Sequence, residues 1–228
     1  MHVGADEAGK GPVLGPMIAA AVRAPVEVIP GEIADSKRLS PERRERLDRR
    51  LRDHPEVSIG VAAIEPERID SPETDMNGLT VAAQARALAD IVDADDEAIV
   101  DAGDVSESRF TRRVREGVAD RGVDIQVTAE HGADGRYPIV AAASVVAKVE
   151  RDRRIASIDE AYVPLDGESA TDDGVDTVGS GYPSDPATRE FLRAYVRRHG
   201  DLPDCARRSW STCADVLAAA EQSSLGEF

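Results

Sequence analysis

Hydrophobic and polar positions follow two periods along this chain, and the change from one to the other outlines its elements. Residues 2–6 (H-V-G-A-D) and 13–22 (V-L-G-P-M-I-A-A-A-V) read as two strands joined by the turn G-K-G-P. Ser40-Pro41 marks a helix start, with serine at the cap and proline at the first helical position. A third strand is predicted over Ser58–Ile64 (S-I-G-V-A-A-I). From Leu79 helices and strands alternate: a helix L-T-V-A-A-Q-A-R-A-L-A-D-I-V, a short strand at 98–102, and a helix over about 106–119. A strand, D-I-Q-V-T-A-E, and a long helix over about 138–160 follow. Three early strands and then alternation predict an α/β domain on a mixed sheet. Residues 165–181, rich in Gly, Asp, Ser and Thr, predict a mobile loop. A helix over about 186–199, closed by Gly200, and a last one to about 222 complete the pattern. There is no internal repeat.

Charge changes how this pattern is read. Asp and Glu number 44 against 28 Lys and Arg, a formal net charge of -16 over 228 residues. The lysines are Lys10, Lys37 and Lys148, which leaves 28 - 3 = 25 arginines. Such an acidic, Lys-poor surface suits a salt-rich cytoplasm, where self-repulsion is screened. A nucleic-acid footprint, if present, has to be local. The helix after Ser40 looks basic, but Glu42/Arg46, Glu45/Arg49 and Asp48/Arg52 are acid-before-base pairs at i,i+4 and predict internal pairing. Arg189, Arg193 and Arg197 recur every four residues and are the better candidate for a basic face. No run approaches the roughly 18 apolar residues of a membrane span, so the expectation is a cytoplasmic protein without a membrane partner. Cys205 and Cys213 lack histidine partners at zinc spacing and read as small buried side chains.

The opening G-A-D-E-A-G-K-G nearly spells a phosphate-binding loop, yet Gly11 stands where that loop needs Ser or Thr for Mg²⁺. Asp6 and Glu7 would also sit inside the cradle and repel a triphosphate. The acids themselves are the better lead. Asp6 and Glu7 end the first strand, Asp101 ends the apolar strand A-I-V-D, and Asp134 precedes the long helix in E-H-G-A-D. Carboxylates at strand ends can converge on one side of a sheet, and an all-oxygen set suits Mg²⁺ or Mn²⁺ rather than zinc. Adjacent residues on a strand face opposite ways, so a twist or bulge is expected if Asp6 and Glu7 are to share a site.

At this point the chain resembles ribonuclease HII in its archaeal form. D-E-A-G-K-G-P-V-L-G-P is similar to that family's N-terminal signature, and D-S-K-R-L-S, M-N-G-L, V-D-A-G-D-V, A-E-H-G-A-D, A-A-S-V-V-A-K-V-E-R-D, G-S-G-Y-P-S-D-P and R-R-S-W follow in order. The resemblance implies an RNase H-like mixed five-stranded sheet flanked by helices, with a C-terminal helical extension. It implies cleavage of the RNA strand of RNA–DNA hybrids, and cutting 5′ of ribonucleotides embedded in duplex DNA, leaving 5′-phosphate and 3′-hydroxyl ends. Asp6, Glu7, Asp101 and Asp134 would be the catalytic acids, with Asp6, Glu7 and Asp101 as ligands of Mn²⁺ or Mg²⁺, two ions during catalysis. Gly9, Lys10 and Gly11 match the family's substrate-reading G-R-G, with lysine in place of the planar arginine. Tyr182 matches its junction-stacking tyrosine; Lys37, Ser144 and Lys148 would support the site or bind phosphate. His131, nearest the acids, is expected to be a structural loop residue.

The implied division is a catalytic domain over 1–160, a loop and helical extension carrying Tyr182 over 161–220, and a tail over 221–228. The loop before Gly179 is longer and more acidic than the family pattern leads one to expect. In the tail, Gln222, Leu225 and Phe228 resemble a sliding-clamp-binding motif, two apolar anchors behind a glutamine. A monomer is expected. A clamp-tethered hybrid-binding protein without catalysis, or another nuclease of the same fold, are the competing readings.

Overall fold

The computed structural model describes residues 1–33, 39–163 and 175–225, the last three as backbone. Its elements in chain order are strands β1 (His2–Ala8) and β2 (Met17–Ala24), helix α1 (Pro41–Arg52), strand β3 (Ser58–Ile64), and helices α2 (Pro66–Ile69) and α3 (Met76–Ala89). Then come β4 (Glu97–Asp101), α4 (Glu107–Ala119), β5 (Gln126–Glu130), α5 (Pro138–Tyr162), α6 (Pro186–His199) and α7 (Ser211–Leu225). The strands form one mixed sheet in the order β3-β2-β1-β4-β5. β1 runs antiparallel to β2 and parallel to β4, and β4 runs parallel to β5.

The chain divides into two compact units that are discontinuous in sequence. The first holds Met1–Lys10, Met17–Ile64 and Asp75–Arg151; the second holds Gly11–Pro16, Glu65–Thr74 and Asp152–Phe228. In the first unit both sheet faces are covered, which explains why β2 is apolar and buried nearly throughout. Ile18, Ala20 and Val22 join a core with Leu47 and Leu51 of α1 and residues 139–149 of α5. On the other face the Met17 sulfur accepts a hydrogen bond from Thr80 of α3 at 3.8 Å. Gly4 is a point of close approach between β1 and α5: a Cβ there would lie 2.7 Å from the Ile139 carbonyl carbon and the Val140 nitrogen. Only glycine lets the first turn of α5 sit on β1.

The second unit packs Val13, Leu14, Val178, Phe191, Leu192 and Val216 into its own core. Tyr162 meets Phe191 edge-on at 5.8 Å between centroids and Tyr195 at 5.6 Å. Here the structure corrects the strand expected over 13–22. Gly15 turns with φ at +76° and Pro16 follows, so Leu14 makes an isolated bridge with Ala206, and β2 begins only at Met17.

Helix ends follow the capping chemistry in the sequence. Ser40 accepts from the Arg43 amide, Asp75 from Gly78, Ser106 from Arg109 and Asp185 from Ala187, while Gly200 closes α6 at φ +75°. On α1 the expected internal pairing is present at Arg52–Asp48 (3.0 Å) and Arg49–Glu45 (4.0 Å), and Arg43 and Arg50 both reach Glu32. That helix is not a free basic patch. Among the described residues no helix is long and apolar enough to cross a membrane.

Candidate active site

β1 and β4 run parallel with Ala5 opposite Val100 as the last pair, and the next residues along the two strands are Asp6 and Asp101. Parallel neighbours end on the same edge of a sheet, the place where α/β folds collect ligands. Glu130 pairs with Asp101 at the end of β5. From there the chain turns through Gly132, at φ +64°, into a short 3-10 turn, Ala133–Gly135, that carries Asp134. The Ala133 amide donates to Asp101 Oδ1 at 2.7 Å, which ties this loop to the end of β4. Asp6 and Asp134 are buried, with 6% and 7% exposure.

Asp6 and Glu7 do not come together through a bulge. Pairing with β2 is unbroken, Asp6 opposite Ala20, Glu7 opposite Ala19 and Ala8 opposite Ile18. The two carboxylates therefore leave opposite faces of β1. At the strand's end they stay close enough for Glu7 to repel Asp6 and for Asp101 to repel both, so they share a site without a bulge. Asp6, on the face that Gly4 presents to α5, meets the Ser144 hydroxyl, which in turn accepts from Lys148 Nζ at 2.8 Å. Glu7, on the α3 face, accepts from Gln84 Nε2 at 2.6 Å and lies 3.7 Å from Lys10 Nζ. Lys10 also donates to the Gly103 carbonyl at 2.8 Å, so its charge is turned inward toward Glu7.

Burial, then repulsion by Glu7 and Asp101, push the Asp6 carboxyl well above the usual carboxylate range, against the opposing pull of Ser144. Burial also raises Glu7, with Lys10 and Gln84 opposing and Asp101 adding to the rise. Mutually repelling, desolvated carboxylates are the electrostatic signature of a place built for a cation. The donors are all oxygen, which fits a hard divalent ion. Among the described residues no three His, Cys, Asp or Glu side chains are gathered into a ready ligand cluster. Protein donors occupy them instead: Gln84 on Glu7, the Glu7 amide on Asp6 at 2.7 Å, and Ala133 on Asp101.

Sequence reasoning missed Gln84. It is fully buried and also donates to the Asp101 carbonyl at 3.1 Å, while its Oε1 has no hydrogen-bond partner. The signal was present: one uncharged amide in an otherwise apolar helical stretch, T-V-A-A-Q-A. A buried lone acceptor beside two acids marks a polar site rather than a packing position.

His131 is fastened as a loop residue. Its Nε2 lies 2.8 Å from the Asp104 carbonyl and its Nδ1 2.9 Å from Glu107 Oε1. The Asp104 carbonyl, followed by Glu107, holds the imidazole above its ordinary pKa. Stability from this contact is fully present below the ordinary histidine value and is lost as pH rises through the folded one. His131→Ala should therefore lower Tm more at about pH 5.5 than at about pH 8.5. Equal losses at both would show that the contact does not titrate.

In the second unit, a Cβ built on Gly11 would lie 3.9 Å from Cε1 of Tyr182, a residue that is 40% exposed. Gly9, in the first unit, takes φ +88°. Arg189, Arg193 and Arg197 line an open groove of about 480 Å³ with Ser184, Pro186 and Glu190, so the basic face of α6 exists. Gln222 is exposed on α7; the side chain of Leu225, and Phe228 and Lys37 altogether, lie outside the described residues, as do residues 164–174 of the acidic loop.

A mixed sheet in this order, with Asp6 buried and Asp101 half-buried on adjacent parallel strand ends, is an RNase H-like arrangement. Comparison with known proteins narrows this. A family model described as Ribonuclease HII matches residues 3–213. Ribonuclease HII of the halophilic archaeon Halobacterium salinarum is 56% identical over 225 residues, 99% of this chain and 98% of that one. The crystal structure of ribonuclease H2 from Pyrococcus horikoshii superposes with TM-score 0.80 at 35% identity, covering 96% of this chain and 98% of that one. Ribonuclease HII in its PCNA complex from Archaeoglobus fulgidus gives 0.78 at 34%, covering 95% and 96%. The chain belongs to the ribonuclease HII family and is an endoribonuclease of the ribonuclease H type.

Proposed function

We propose that this enzyme hydrolyses the RNA strand of RNA–DNA hybrids and cuts 5′ of single ribonucleotides in duplex DNA, leaving 5′-phosphate and 3′-hydroxyl ends. The observation that carries the reading is the placement of Asp6 and Asp101 one step beyond the last β1–β4 pair, with Asp6 buried beside Glu7. Mg²⁺ or Mn²⁺ held by Asp6, Glu7 and Asp101, with Asp134 completing the set, would supply a water of lowered pKa and stabilise the departing oxygen. The chain's own contribution is orientation. Lys148 and Ser144 fix the Asp6 carboxylate from one face of β1, and Gln84 and Lys10 fix Glu7 from the other. Ala133 holds Asp101 and thereby the loop of Asp134.

The backbone of Gly9, Lys10 and Gly11 reads the ribose 2′-hydroxyl, the group that separates RNA from DNA, and Tyr182 stacks at the RNA–DNA junction. Lys37 is assigned to substrate phosphate and the α6 arginines to the duplex backbone. Gln222, Leu225 and Phe228 would engage a sliding clamp, a reading supported by the PCNA complex of the Archaeoglobus relative.

The test is a DNA duplex carrying one ribonucleotide, incubated in high salt with Mg²⁺ or Mn²⁺. Wild type should cut 5′ of the ribonucleotide; EDTA and Asp101→Asn should each abolish the cut. A folded wild type that binds this duplex and longer hybrids without cutting either would favour the non-catalytic, clamp-tethered reading.

A further inference from the structure

The segment Gly11–Pro16 is stitched into the second unit at successive backbone positions. Val13 and Leu14 amides donate to the Gly181 carbonyl at 2.7 and 3.2 Å, and the Gly15 amide to that of Cys205 at 2.8 Å. Arg207 adds two bonds, its amide to Val13 O at 2.8 Å and its Nε to Gly15 O at 2.9 Å. This arginine is wholly buried, an expensive place for a cation, so its contacts have to compensate. Its guanidinium carbon lies 5.1 Å over the Trp210 ring, a cation–π contact that fixes the indole plane. So held, Trp210 Nε1 donates to the Gly11 carbonyl at 3.2 Å.

That carbonyl is a sensitive point. The next residue is Pro12, whose ring fixes its own φ and restricts the residue before it. With the Gly11 oxygen held by the indole and Pro12 restricting the residue before it, the Gly11–Pro12 peptide plane is held, which anchors the C-terminal end of the G-K-G turn. We propose that Trp210, aligned by Arg207, is a positioning residue for ribonucleotide recognition: it fixes Gly11 next to Tyr182 and senses what Gly11 binds. The inference rests on the reading of Gly11 as part of the 2′-hydroxyl reader.

Trp210 is the protein's one tryptophan, so the native enzyme carries its own reporter. The experiment titrates wild-type protein in EDTA with a labelled duplex carrying a single ribonucleotide, and separately with the all-DNA duplex of the same sequence. Label anisotropy gives occupancy, and Trp emission gives the state of the indole. At equal occupancy the ribonucleotide duplex should change the emission at least about twofold more than the DNA duplex does. Equal changes, or none with either, would overturn the proposal.

Trp210→Phe keeps the stacking face and removes the N–H. It should reduce the preference for ribonucleotide-containing over all-DNA duplex by about tenfold, with both affinities measured by anisotropy. A folded Trp210→Phe enzyme that retained the full preference would also overturn it. A variant that failed to fold leaves the native titration decisive. Cleavage by wild type in Mg²⁺ or Mn²⁺ scores the underlying reading separately, so an active enzyme with an indifferent indole sinks this inference alone.

Discussion

Asp6→Asn is expected to reduce cleavage by at least roughly 10²–10³-fold while making the metal-free protein more stable than wild type. The two effects share one cause. Burial and the charges of Glu7 and Asp101 hold the Asp6 carboxyl above its ordinary pKa, so folding favours the protonated form. For such a group the sign is the reverse of an ordinary surface carboxylate. Its stability contribution is intact below the unfolded pKa, because both states are then neutral. It is lost as pH rises from there through the folded pKa, since the unfolded chain ionises first. Asparagine removes the charge yet keeps an oxygen for the Glu7 amide, now 2.7 Å from Asp6 Oδ1.

The measurement is Tm against pH in EDTA at constant high salt. The Tm of Asp6→Asn should exceed that of wild type by a margin that widens between about pH 4 and pH 7. Each pKa unit of elevation is worth roughly 3–5 °C in a chain of this size. Adding Mg²⁺ or Mn²⁺ should raise wild type and leave the variant behind, because only the intact acid set gains from binding a cation. A variant less stable than wild type in EDTA at neutral pH would mean that the Asp6 charge is satisfied by the protein itself.

Much of this arrangement is legible in the sequence, because its parts are local. Ser58–Ile64 was read with both ends, and α6 too, since Asp185-Pro186 opens it and Gly200 closes it. Asp101 stood out as an acid at the end of an apolar strand. What escaped depends on contacts between distant residues. Val13 and Leu14 are as apolar as Met17 and Ile18, and hydropathy cannot show that Gly15 and Pro16 send them into a different core. The expected bulge at Asp6 and Glu7 assumed that both acids had to leave one face of β1. In fact each face supplies its own holder, Ser144 from α5 and Gln84 from α3. Gln84 was the least legible, since its role comes from a strand end 77 residues earlier in the chain. The acidic composition also fits the halophilic relative: exposed carboxylates set the net charge, while the site depends on a few buried ones.

Gly4→Ala should be the most damaging single methyl group near the site. The added Cβ would sit 2.7 Å from backbone atoms of Ile139 and Val140, at the start of α5, where no flexible side chain can yield. Either β1 or the helix must move, at a cost of about 3 kcal/mol, which corresponds to a Tm loss of roughly 6–12 °C. The same displacement reaches the chemistry. Gly4 and Asp6 lie on one face of β1, and Ser144, a little over one turn along α5 from the clash, is the group that bonds Asp6. Activity of the folded fraction should therefore fall by about 10²-fold, the usual consequence of misplacing a reacting group by an ångström. The two readouts can be separated by assaying well below the variant's Tm. If Gly4→Ala melts low but cleaves as wild type does when folded, the approach of α5 to β1 serves packing only. A loss in both would show that this one contact sets the fold and aims Asp6.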